Sequence, residues 1–184
     1  MLDGLFGGPK SRSLLGVDIS SSAVKVLELS RSGDKFSVES YAVMSLPPQS
    51  VVEKNLVEVE AVGETIKAVH ARSRSKVNKA AAAVPGSAVI TKILRMPADM
   101  NDNAMETQIS LEADQYIPYP LDEVALDFEV MGVAEDSSDQ AEVMLVACRR
   151  DNVDSRVEAL EIGGLEPKVM DVEAYAVERS FELM

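Results

Sequence analysis

Apolar and polar positions follow two rhythms along this chain, and the changes of rhythm mark its elements. The nearly unbroken apolar run Ser13-Leu14-Leu15-Gly16-Val17-Asp18-Ile19 predicts a central strand. Val24 to Leu29 and Phe36 to Val43 predict two more strands, the last with one wet face, and Ser32-Gly33-Asp34 supplies the turn that makes them a hairpin. Pro47-Pro48 ends this meander. Val59, Val62, Ile66 and Val69 then recur at helical spacing and predict an amphipathic helix from Asn55 to Ala71. Ala80 to Val84 is short and stopped by Pro85-Gly86, so it reads as a buried strand despite alanine's preference for helix.

A second pattern begins there. Ile90, Lys92, Leu94 and Met96 alternate with Val89, Thr91, Ile93 and Arg95 up to Pro97, a strand. Capping chemistry at Asp99 to Asp102 precedes Met105, Ile109, Ala113 and Tyr116 on one helical face, which Pro118 closes. Val124 to Met131 reads as a strand, the acidic Glu135 to Asp139 as a loop, and Glu142 to Arg149 as a strand. Val153, Val157 and Leu160 predict a helix closed by Gly163-Gly164. This is a βαββα unit. A strand at Lys168 to Val172 and a helix from Ala174 to Met184 return to the flavour of the first part. The expected class is therefore α/β: one subdomain from the two ends, residues 1–86 and 165–184, with a small α+β subdomain inserted at 87–164.

Composition narrows the function classes. With 46% apolar and 27% charged residues the chain is globular, and disorder as the main state is excluded. A net charge of −13 argues against nucleic acid as the partner, since that affinity rests on Lys and Arg neutralising phosphates. The excess is uneven: residues 1–80 carry eleven basic and nine acidic side chains, residues 81–184 seven and twenty-two. That acid is either a solvated surface or a face for a basic partner. No stretch reaches the ~18 uninterrupted apolar residues of a membrane span, and the start lacks the features of a secretion signal, so the expected location is cytoplasmic. Leu2, Leu5 and Phe6 sit among glycines and read as a frayed terminus. Cys148, the one cysteine, reads as a buried strand residue.

Common catalytic motifs are missing: no G-x-G-x-x-G, P-loop, H-E-x-x-H or C-x-x-C is present, and His70, the single histidine, reads as a surface residue at a helix end. One segment carries chemistry, Gly16-Val17-Asp18-Ile19-Ser20-Ser21-Ser22-Ala23-Val24-Lys25. A buried strand that ends in an aspartate and turns back through three serines offers backbone N–H groups and hydroxyls to phosphate oxygens, and Asp18 to a hydrated Mg²⁺. The same residues also fit an ordinary serine-rich hairpin in which Asp18 caps its own turn.

That segment resembles the first phosphate motif of the actin, Hsp70 and sugar-kinase superfamily. Together with Val84 to Lys92, the stretch Glu112-Ala113-Asp114-Gln115-Tyr116-Ile117-Pro118-Tyr119-Pro120 running on to Phe128, and Asp171 to Ser180, the chain from Leu14 onward is similar to the PilM family of type IV pilus assembly proteins, actin-like and related to FtsA. The resemblance implies an RNase-H/actin-like subdomain (1A) with an inserted FtsA-type subdomain (1C). It also implies ATP and Mg²⁺ as ligands of the intact protein. Gly16, Asp18, Ser20, Ser21, Ser22 and Lys25 then match the phosphate hairpin, with Asp18 holding Mg²⁺ through water, and Glu173 is the candidate near the attacking water. It implies as partner the N-terminal cytoplasmic peptide of the inner-membrane protein PilN, with other pilus platform and motor components beside it, held in a groove between the two subdomains. The location would then be cytoplasmic, peripheral at the inner membrane. Val84, Pro85, Gly86 and Ser87 at the junction, with Tyr116, Ile117 and Tyr119, are the candidate groove residues, although the tyrosines equally fit packing of the helix end. Family members continue into a second lobe that carries the rest of the nucleotide site. The expectation for these 184 residues alone is therefore weak ATP binding, no useful turnover, and a tendency to self-associate. The competing assignments are a fragment of a phosphotransferase of the same superfamily and an FtsA-like division protein.

Overall fold

Residues 13–183 are described in a computed structural model of the chain. Three antiparallel strands open it, β1 (Leu15–Ile19), β2 (Ala23–Ser32) and β3 (Lys35–Ser45), and Gly33 turns the β2–β3 hairpin at φ +62°. β4 (Val51–Val52) and β5 (Asn55–Leu56) form a small hairpin before α1 (Val59–Ser73). The expected helix start at Asn55 is thus too early. Glu53 and Lys54 both take positive φ, the geometry of a two-residue hairpin turn, without the Asn or Gly that would announce it. β6 (Lys79–Val84) pairs parallel with β1.

β7 (Val89–Pro97), α2 (Asp102–Glu112), β8 (Val124–Ala134), β9 (Ser137–Arg149) and α3 (Arg150–Ile162) realise the βαββα order. Asn101 caps α2, its side chain accepting from the Ala104 N–H at 3.0 Å. β8 and β9 pair down to Ala134 and Ser137, so the segment expected as a loop contributes only a two-residue turn at Glu135-Asp136. β10 (Glu166–Val172) and α4 (Glu173–Phe181) complete the chain. Two larger sheets result, in the orders β10-β6-β1-β2-β3 and β7-β9-β8.

The chain divides into two compact units, residues 13–83 with Val157–Met170, and Val84–Arg156 with residues 171–183. In the first, α1 and the end of α3 bury Val62, Ile66, Val69, Ala159 and Leu160 against Leu15, Val17, Val24 and Val26 of the sheet. Two glycines bring these helices close. A Cβ on Gly63 would lie 2.5 Å from Cγ2 of Ile162, and one on Gly163 would lie 2.4 Å from Cγ2 of Ile66. Gly164, at φ +78°, stops α3. The Gly164 N–H donates to the Glu161 carbonyl and the Leu165 N–H to the Leu160 carbonyl, both at 2.9 Å, a Schellman closure.

The second unit has its own core. Met105, Ile109, Ala113 and Ile117 face Leu94, Met96, Val143, Leu145 and Ala147 of the three-stranded sheet. α2 ends at Glu112 and tightens into a single 3₁₀ turn, which carries Ile117 inward and leaves Tyr116 outward, where the periodicity placed Tyr116 on the buried face.

Candidate functional site

The serine-rich hairpin occupies the β1–β2 turn of the first unit. In the register of these strands Asp18 stands opposite Lys25, and the Lys25 ammonium donates to Asp18 Oδ2 at 2.6 Å. Both side chains are half-exposed, and the carboxylate raises the Lys25 pKa, first by accepting this hydrogen bond and then by its charge. Gly16 and Asp18 lie on the face of β1 opposite its buried Leu15 and Val17.

The three serines are not equivalent. The Ser20 hydroxyl donates to the Ala23 carbonyl at 2.9 Å and accepts the Ala23 N–H at 3.2 Å, so it is spent closing the turn. The Ser22 carbonyl accepts the Leu46 N–H at 2.9 Å, tying the turn to the end of β3. Ser21 and Ser22 are exposed, and their N–H groups and hydroxyls make no bond to any described residue. They are the donors such a turn can offer to an anion. Exposed N–H and O–H donors of this kind suit a phosphate, and Asp18, held here by Lys25, offers a single carboxylate of the kind that suits a Mg²⁺ keeping most of its waters. Among the described residues no three His, Cys, Asp or Glu side chains converge as a metal cage.

Glu173 lies in the other unit, as the first residue of α4, and is half-buried. Beside it Asp171 pairs with Arg179, and its Oδ1 accepts the Val172 N–H at 2.7 Å. The charge of Glu173 acts on Arg156, which sequence reading missed. This arginine is 2% exposed, its Nη1 donates to the Asn152 carbonyl at 2.9 Å, and burial lowers its pKa while Glu173 raises it. The signal was there: position 156 falls on the same helical face as Val153 and Leu160.

Of the candidate groove residues, all in the second unit, Val84 and Pro85 are buried, whereas Gly86 and Ser87 are exposed. A Cβ on Gly86 would stand 3.9 Å from that of Ala174, an ordinary contact. Tyr116 and Tyr119 are 38% and 42% exposed, and the Arg149 guanidinium lies 6.0 Å from the Tyr119 ring centroid. Ile117 belongs to the core, so its side chain faces inward. His70 is only half-exposed, with Nε2 enclosed and without a hydrogen-bond partner, unlike the simple surface residue expected. Cys148 is buried on β9, and burial pushes its thiol pKa up. Met1 to Phe6 lie outside the described residues. No helix among the described residues is long and apolar enough to cross a membrane.

Comparison with known proteins adds to this geometry. The family model for type IV pilus assembly protein PilM matches residues 16–184. Among solved structures, the chain is similar to one from the PilM–PilN type IV pilus biogenesis complex, with 31% identity, a TM-score of 0.81 and 92% of this chain covered. It spans 50% of that protein's length. The cytoplasmic domain of EpsL, an inner-membrane component of the type II secretion system of Vibrio cholerae, shares the fold at 15% identity and a TM-score of 0.51, over 86% of this chain and 57% of that one.

Proposed function

Because the chain belongs to the PilM family of type IV pilus assembly proteins, we propose that it is a cytoplasmic docking component of the pilus assembly platform that binds the N-terminal segment of PilN. The observation that carries this reading is the likeness, at a TM-score of 0.81 over 92% of the chain, to a structure from the PilM–PilN complex. Exposed Gly86 and Ser87 and the half-exposed rings of Tyr116 and Tyr119 supply backbone and aromatic surface of the kind that holds an extended peptide. Peripheral attachment at the inner membrane follows from the partner.

The test is anisotropy of a labelled PilN N-terminal peptide titrated with this chain. Saturable binding is expected, and Gly86→Glu should weaken it at least tenfold while far-UV circular dichroism stays unchanged, because a Cβ fits there. Wild-type affinity in the folded Gly86→Glu protein would remove this stretch from the docking site. No binding to the wild type would refute the reading.

Nucleotide binding is a second part of the proposal, favoured by the unpartnered N–H groups of Ser21 and Ser22 beside Asp18 and Lys25. In this reading Gly16 keeps the approach to the turn open, Ser21 and Ser22 bond phosphate oxygens, Lys25 leaves Asp18 for the phosphate, and Asp18 takes a Mg²⁺-bound water. Bound Mg²⁺ supplies charge neutralisation of the polyphosphate. Since the chain spans half the length of the matched PilM, calorimetric titration with Mg-ATP should give weak binding, reduced further in Asp18→Ala. Glu173 is assigned no step.

A further inference from the structure

The net charge is concentrated in the second unit: its residues sum to −13, and the described residues of the first unit sum to −1. From Met96 to Cys148 there are thirteen Asp and Glu and no Lys, Arg or His. β8 lies in the middle of this segment and at one edge of the sheet β7-β9-β8, paired on one side only.

The free side of β8 is patterned. Leu126 and Phe128 pack against the core, Val130 follows them in the alternation at an exposed position, and Asp127 and Glu129 point to the other side, so the strand alternates apolar and acidic. Arg150 donates to the carbonyls of Asp122 and Val124, at 3.3 and 2.9 Å, which closes the start of the edge. Asp127 Oδ1 accepts the Phe128 N–H at 2.9 Å, a local stopper. From Glu129 to Val133 no described residue other than those of β9 hydrogen-bonds to the strand, although the charge of Arg179, itself paired with Asp171, reaches Glu129. Val130 is 45% exposed, and the register shifts just after it, at Gly132 with φ +138°. The regular edge open to pairing therefore ends at Val130.

An unpaired edge is a template for another strand unless its own chemistry forbids it. Here the chemistry selects. A second copy of β8 would set Asp127 and Glu129 against their own kind, which is unfavourable. The opposite edge, β7, carries Lys92 and no acidic residue, and its Arg95 pairs with Asp136 and Glu142, so its own side chains offer a basic strand no partner. We propose that the β8 edge over Ala125 to Val130 is a second docking surface, which accepts as an added strand an extended segment of another protein alternating apolar with basic residues. Its apolar side chains extend the row of Leu126, Phe128 and Val130, and its bases meet Asp127 and Glu129. The inference does not depend on what binds at Gly86 and Tyr116.

The probe is a labelled synthetic peptide, Lys-Val-Lys-Val-Lys-Val-Lys, titrated by anisotropy into the full chain at 0.15 M salt. Saturable binding is expected, at least tenfold weaker for the same peptide N-methylated at alternate residues, which removes the donors of one strand edge. At least a tenfold loss is also expected for Asp127→Lys with Glu129→Lys in the protein, both exposed positions, and the backbone amides of Leu126 and Val130, of the same parity as Phe128 and without its local bond, should gain exchange protection. Equal affinity of the methylated peptide for the wild-type chain would mean charge attraction alone and would overturn the proposal. So would no binding of the unmodified peptide, or protection that appears elsewhere.

Discussion

Replacing Gly63 by alanine tests the packing of the first unit directly. In a helix interior the change should stabilise, by about 1 kcal/mol from propensity. The structure says otherwise. The new Cβ would lie 2.5 Å from Cγ2 and 2.6 Å from Cβ of Ile162, and 3.1 Å from the Ala159 carbonyl oxygen. Carbon pairs rest at about 3.5–4.0 Å. The Ile162 Cβ is fixed to its backbone, so rotating the side chain does not relieve the contact, and α1 and α3 must part by roughly 1 Å. That separation opens gaps around Val62, Ile66 and Leu160, all fully buried. Overpacking costs about 1–3 kcal/mol, and a backbone-fixed contact belongs at the upper end, which leaves a net loss of about 2 kcal/mol after the propensity gain. For a chain of this length that is a fall in Tm of roughly 4–8 °C. Urea and thermal unfolding followed by circular dichroism measure it. A Gly63→Ala protein as stable as the wild type, or more so, would refute the reasoning.

Other expectations are simpler. The β4–β5 turn holds Glu53 and Lys54 at φ 48° and 67°, so Glu53→Asn with Lys54→Gly should stabilise by about 1 kcal/mol, read from the urea midpoint. Arg74 ends α1 in the left-handed region at φ 62°, and Arg74→Gly should likewise raise Tm by a few degrees. The Asp136 carboxyl is held below its ordinary pKa by the hydrogen bond from Arg95 at 2.9 Å. Its small contribution is present above the unfolded-state value and lost as pH falls through the folded one, so Asp136→Asn should flatten the acid arm of the midpoint-against-pH curve. Lys25 behaves oppositely. Its pKa is raised, so its contribution is full below the unfolded-state value and lost as pH climbs through the folded one, and Lys25→Met should flatten the alkaline arm.

Strands and helices were legible where burial alone decides them. The runs at Leu15 to Ile19 and Ala80 to Val84 are strands because both lie inside one sheet between buried neighbours. What escaped depends on contacts between distant segments or on turn geometry without its usual residues. The β4–β5 hairpin carries no glycine, and the roles of Gly63 and Gly163 exist only once two helices meet. At Tyr116 and Ile117 the helical period is broken by one 3₁₀ turn, which leaves Tyr116 outward and carries Ile117 inward. Within the serine hairpin the sequence offers three equal hydroxyls, and only the fold separates Ser20, engaged with Ala23, from Ser21 and Ser22.

The lone thiol on β9 gives the second unit a built-in clock. Cys148 lies on the central strand of its sheet, is 8% exposed, and has its thiol pKa raised by burial. Burial slows attack by a thiol reagent in the closed sheet, so the rate of modification rises with how often the strand opens. With a single cysteine in the chain the signal has one source. The rate at Cys148 would therefore register directly any peptide that stiffens this sheet, without a label attached to either molecule.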